Sequence, residues 1–154
     1  MKRVSFLAVG LVLMITLGFF TVKQGSAAGV ERTPTCNLAT LKGRYLFENS
    51  GTLLPPAFGV TAAIPAAAAG FHLFNGDGTG TDTVTFRIGS KIVLENFVSP
   101  ISYTVNADCT GRYTVPNGPS FDLFIAPTGD KIATIATAPP GHYVVGIDQR
   151  VSPK

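Results

Sequence analysis

Tryptophan is absent from this 154-residue chain, and cysteine, methionine and histidine occur only twice each. Each shortage excludes something. Neither His72 nor His142 has a second ligand two to four positions away, so zinc-type spacing is missing and no metal or other cofactor is expected. Gly-x-Ser-x-Gly occurs nowhere, which removes the common nucleophile elbow of hydrolases. The glycines of Gly76-Asp77-Gly78-Thr79-Gly80 lack the following lysine that a phosphate-cradling loop requires. After residue 29, no stretch keeps apolar residues at helical spacing for three turns. No catalytic set can therefore be named from motifs.

What is present begins with a distinctive front end. Lys2 and Arg3 precede an uncharged run from Val4 to Val22, Lys23 breaks it, and Gly25-Ser26-Ala27-Ala28-Gly29 supplies small side chains. With Ser26 and Ala28 at the two small-residue positions, cleavage after Ala28 fits a secretory leader. The rival is an uncleaved anchor, since a bilayer core needs roughly 17–25 apolar residues. The reading is a leader over 1–28, an N-terminal segment over 29–40 and one domain over 41–152. The protein is then exported, periplasmic or extracellular, and meets a membrane only through an uncleaved leader.

Removing the leader changes the electrostatics. Three of the twelve basic residues (Lys2, Arg3 and Lys23) lie within it, leaving nine against nine acidic. A domain of near-zero net charge has no electrostatic footprint for nucleic acid. Cys36 and Cys109 are the only cysteines, and an even count in an exported chain reads as a disulfide. The alternatives are two free thiols or, with weaker support, a two-cysteine zinc site.

Short β-branched and aromatic runs alternate with Gly, Pro, Asn and Asp clusters, the pattern of an all-β chain. Eight strands are predicted: 42–50, 66–74, 79–88, 91–105, 109–115, 120–126, 131–138 and 142–150. In the third, Asp82, Val84, Phe86 and Ile88 share one face. Pro100 predicts a bulge, bend or exposed edge in the fourth. The short loops favour antiparallel neighbours. Eight such strands can close into an up-and-down barrel, which hides their edges and can hold one small ligand. A two-sheet sandwich is the alternative. Gly51 to Ala69, rich in alanine and proline, reads as a long loop: either an apolar lid over a barrel mouth or a packed edge.

The phrases Cys36-Asn37-Leu38-Ala39-Thr40-Leu41-Lys42-Gly43-Arg44-Tyr45-Leu46-Phe47 and Asp108-Cys109-Thr110-Gly111-Arg112-Tyr113-Thr114-Val115, with the turn Phe74-Asn75-Gly76-Asp77-Gly78-Thr79-Gly80, carry a resemblance. Together they resemble small exported bacterial proteins similar to calycin-type barrels of the allene oxide cyclase and dirigent kind. The resemblance spans about Cys36 to Arg150 and implies an eight-stranded barrel with a Cys36–Cys109 bridge. The Gly-x-Trp mark of lipocalins is missing. No residue here matches the cyclase or dirigent catalytic sets one by one, so none carries over, and fold alone does not give function.

Asn75-Gly76-Asp77-Gly78-Thr79-Gly80 imitates the opening of a calcium loop, but the bidentate Glu at position twelve is replaced by Phe86. A tight hairpin explains it better. Tyr45, Phe47, Phe71, Phe86, Phe97, Tyr113, Phe121 and Tyr143 lie in predicted strands as core residues and candidate walls of an apolar pocket. His72 and His142 are the candidate polar site; Glu48, Asp82, Glu95 and Asp148 are the carboxylates available to pair with them. The leading expectation is a barrel that binds a small apolar or amphipathic molecule non-covalently. The alternatives are a partner-binding exoprotein working through its outer surface and a cyclase or isomerase acting inside the barrel.

Overall fold

The structure, a computed structural model, describes residues 35–152; the expected leader, and the first part of the segment after it, lie outside the described residues. Eight strands follow one another: β1 (Gly43–Leu53), β2 (Ile64–Phe74), β3 (Thr79–Ile88), β4 (Lys91–Val105), β5 (Thr110–Thr114), β6 (Ser120–Ile125), β7 (Lys131–Ala138) and β8 (His142–Arg150). Each pairs antiparallel with the next, and β8 returns to pair with β1, closing an up-and-down barrel rather than a sandwich. Closure satisfies the ladder groups that an open sheet would leave at its edges. Alternation sets the two faces: in β1, Tyr45, Phe47, Asn49 and Leu53 are buried while Arg44, Leu46, Glu48 and Ser50 are exposed.

Two local features refine the sequence reading. The loop after β1 is shorter than Gly51–Ala69, because Ala66 to Ala69 pair along β1 with Gly51 to Glu48. Alanine is a weak strand former, but ladders on both sides hold β2 extended. The small side chains also leave interior space. In β4, the irregularity lies before Pro100: pairing with β3 shifts register twice between Val84 and Arg87. Pro100 itself is exposed and lies upstream of Ser102, where pairing to β5 begins, so its missing N–H costs no ladder bond there.

One end of the barrel is filled. Leu41, Tyr45, Phe74, Ile101, Tyr103, Leu123, Ile125 and Ile132 pack there with the two cysteines. A 3-10 turn, Leu38–Leu41, plugs this end; Asn37 caps it by accepting from the Ala39 N–H at 2.9 Å. The Cys36–Cys109 disulfide ties this plug to the start of β5, with Cα atoms 5.0 Å apart. Arg150 completes the closure: its guanidinium donates to the carbonyls of Lys42, Thr40 and Gly129 and lies over the Tyr45 ring. Among the described residues no helix is long and apolar enough to cross a membrane.

Candidate functional site

Barrel register, not sequence proximity, assembles the site. His72 of β2 lies opposite Asp82 of β3, and Asp82 lies opposite Ser99 of β4. All three are buried, so one transverse row of the interior is polar. Asp148 joins from β8: its Oδ2 is 2.7 Å from His72 Nδ1. The other imidazole nitrogen, Nε2, faces Asp82 Oδ1 at 3.7 Å. The ring is held flat against Phe47, with centroids 4.2 Å apart and planes 8° from parallel, and Phe74 and Tyr113 tilt against it. Phe47 reaches this position because residue 70 is glycine; a Cβ there would stand 3.1 Å from the Phe47 ring and 1.8 Å from the Thr83 carbonyl oxygen.

Asn49 and Tyr113 extend the polar layer. The Asn49 side chain hydrogen-bonds Tyr113 and occupies the space left by Gly146, whose absent Cβ would fall 1.6 Å from Asn49 Oδ1. Burial, with the Asp148 and Asp82 charges adding to it, holds the Tyr113 phenol un-ionised well above its ordinary range. Four polar atoms of the layer are buried without a hydrogen-bond partner: His72 Nε2, Asp82 Oδ1, Ser99 Oγ and Asp148 Oδ1. Leaving such groups unpaired costs about 1–3 kcal/mol each, so their concentration in one layer calls for a reason beyond packing.

Above this floor the barrel is hollow. A cavity of about 360 Å³ reaches from Asp82, Ser99 and Asn49 to the open end. Its walls are chiefly apolar, built by Phe47, Val84, Phe86, Tyr113, Phe121 and Val144, with Ala67 and Ala68 supplying little bulk on the β2 side. Leu94 and Phe97 face it from β4, and the turn from Val115 to Pro119 borders it. Phe58, in the loop between β1 and β2, takes the left-handed conformation (φ 47°) and sets its ring against Phe86 and His142 at the mouth. Such a backbone is unusual for a bulky residue and fixes where the ring can point.

Of the eight aromatic candidates, Phe47, Phe86, Phe97, Tyr113 and Phe121 line the cavity. Tyr45 is buried in the filled end and donates to the Gly129 carbonyl. Phe71 lies outside beneath the Arg44 guanidinium, and Tyr143 is exposed on β8. Both histidines face inward at different depths: His72 in the floor, His142 at the mouth, where burial lowers its pKa against the pull of the Ala138 carbonyl. Asp82 and Asp148 flank His72, whereas Glu48 and Glu95 are exposed. Sequence reasoning did not single out Ser99 or Asn49. No group of side chains among the described residues is arranged to hold a metal ion.

No family model, no curated protein and no solved structure matches this chain. Its chemistry must be argued from the floor and the cavity.

Asp82 dominates the site's pH response. Burial pushes its carboxyl up from 3.8 to about 6; the His72 ring opposes the rise and Asp148 adds to it. The folded protein therefore holds a proton that the unfolded chain releases between about pH 4 and pH 6. The stabilisation is full below that window, fades as pH rises through it and changes no further above. Asp82→Asn cannot titrate, so its unfolding free energy is expected to fall less than that of wild type across the window. The difference is on the order of 3 kcal/mol, read from urea midpoints at several pH values. Parallel curves for the two proteins would contradict the assignment.

Proposed function

We propose that this protein is exported and binds a small, neutral, largely apolar molecule non-covalently inside its barrel. The cavity carries this reading: its volume suits a small organic ligand, its walls are apolar, and its polar groups converge on one floor. Apolar walls reward burial of hydrocarbon at roughly 25 cal/mol per Å², while Asp82, Ser99 and Asn49 can orient one polar end. A charged ligand would lose hydration here with no opposite charge on the walls beyond the floor. Export is supported by the leader pattern and by the disulfide, which persists in oxidising compartments. The resemblance to calycin-type barrels accords with an interior binding site.

The outer-surface alternative has an observation behind it as well. Phe124, Ile135, Tyr143, Val145 and Ile147 are exposed on neighbouring strands β6, β7 and β8. That row lacks the converging polar groups found inside, so the interior is preferred. The test is titration with N-phenyl-1-naphthylamine, a neutral fluorophore that brightens in apolar surroundings. Wild type is expected to take it up. Ala68→Trp, which fills the cavity from β2, is expected to weaken uptake at least about tenfold, equivalent to about 1.4 kcal/mol. Equal uptake by the two proteins, or none by wild type, would contradict the proposal.

A further inference from the structure

Binding an apolar molecule does not require a carboxyl, an imidazole and a second carboxyl in series. Yet Asp82, His72 and Asp148 are arranged that way, with Asp82 in the cavity wall and the other two behind it. His72 Nδ1 lies 2.7 Å from Asp148 Oδ2, which fixes the ring with Nε2 turned toward Asp82 Oδ1 at 3.7 Å. Stacking on Phe47 prevents the ring from turning away. Nε2 and Oδ1 are both buried, and neither has a hydrogen-bond partner. The Asp82 carboxyl therefore faces an imidazole nitrogen held in place beside it. Ser99, opposite Asp82 in register, brings a hydroxyl whose oxygen is also buried and unpartnered.

We propose that Asp82 is a catalytic acid–base group that moves a proton between two carbons of a neutral, unsaturated carbonyl compound, with His72 and Asp148 as positioning residues. The inference rests on the binding reading above and adds a substrate class and a reaction to it. The Asp82 carboxylate removes a proton from the carbon between the carbonyl and the double bond. The C–H electron pair forms a new C=C, and the carbonyl π pair moves onto oxygen. The resulting enolate oxygen accepts from the Ser99 hydroxyl. When the C=O re-forms, the far alkene carbon takes the proton back from Asp82, and the double bond ends in conjugation. Substrate and product are isomers, so no oxidant, reductant or co-reactant is consumed.

The surroundings suit this step. The apolar walls accept a neutral substrate, and charge develops only in the transition state, beside fixed dipoles. The titratable groups around Asp82 are His72 from β2, Tyr113 from β5 and Asp148 from β8; Ser99 from β4 and Asn49 from β1 are polar and uncharged. Burial places the Asp82 carboxyl near pH 6, where it can both take and return a proton close to neutrality.

The experiment uses cyclohex-3-enone, whose conversion to cyclohex-2-enone is followed by ultraviolet absorbance, alongside fluorophore uptake by the same protein samples. Wild type is expected to convert the enone with saturation, and kcat/KM to rise with pH through a midpoint near 6. Asp82→Asn is expected to lower kcat by about 10²–10⁴-fold, with its fold checked by circular dichroism. His72→Gln is expected to move the midpoint of the pH profile, a readout that a purely structural role would leave in place. Should Asp82→Asn not fold, Ser99→Ala is expected to cost about 10²-fold through loss of the enolate donor. Fluorophore uptake by wild type without enone conversion overturns the inference and leaves the binding reading standing. Conversion that survives in folded Asp82→Asn also overturns it. No uptake and no conversion overturn both.

Discussion

Replacing Cys36 and Cys109 together by serine is expected to lower the unfolding free energy by about 4 kcal/mol and the melting temperature by on the order of 15 °C. The bridge spans a sequence separation of 73, so its loss frees a long loop in the unfolded chain. It also has a local task. Cys36 precedes the 3-10 turn that plugs the filled end, and its N–H donates to the Ala107 carbonyl at 3.1 Å, beside Cys109. Both cysteines are buried against Leu41 and the aromatic cluster, so serine there also places a hydroxyl in an apolar core. Thermal unfolding followed by circular dichroism, with and without a reductant, checks this. Reductant should shift wild type toward the variant and leave the variant unmoved. The cavity opens at the other end, so fluorophore uptake below both melting temperatures should be preserved.

Asp148→Ala is expected to cost about 3 kcal/mol, because it strands one member of a buried hydrogen-bonded pair. Asp148 is fully buried and holds His72 Nδ1 at 2.7 Å, and alanine leaves that nitrogen without its acceptor inside the barrel. Urea unfolding of the variant measures the loss. The triple replacement His72→Leu, Asp82→Leu, Asp148→Leu is the informative companion. It removes the whole polar series, and replacing both partners of a buried hydrogen bond by apolar side chains can be nearly neutral or stabilising. A triple variant more stable than Asp148→Ala, yet inactive on the enone, would mean that the array is kept for chemistry at some expense in stability.

How much of this was legible beforehand depends on which contacts are local. The hairpins could be read because turn residues and alternation act within a few positions: Asn75 to Gly78 marked one turn, and Asp82, Val84 and Phe86 were placed on one face. The closeness of His72 and Asp82 was half legible: the turn read as Asn75 to Gly78 brings the two strands together but sets His72 against Thr81, and the observed pairing of Phe74 with Gly80 carries it opposite Asp82. Ser99 was not accessible in the same way. Counting from Ile88 opposite Lys91 would set Phe97 against Asp82, and only the two register shifts in β3–β4 bring Ser99 there. Asp148 lies 76 residues from His72 and meets it through barrel closure, which no local pattern encodes.

The same distinction explains the aromatic residues. Phe47, Phe86 and Phe121 fall on inward positions that alternation can assign. Tyr143 also sits among alternating residues, but both faces of β8 are apolar enough that periodicity alone cannot say which turns inward; it stands outside with Val145 and Ile147. The alanine run of β2 fell under two readings, the start of a strand at Ala66 and the end of a proline-rich loop at Ala69; it is strand throughout, and its small side chains form the thin wall that makes room for the cavity.

Native mass spectrometry of the protein purified from its own host tests the interior site most directly. Wild type is expected to carry a small neutral molecule that gentle activation releases, and Ala68→Trp to appear at its bare mass. Bare mass for both proteins, joined to a failure of wild type to take up the fluorophore, would contradict a ligand site inside this barrel.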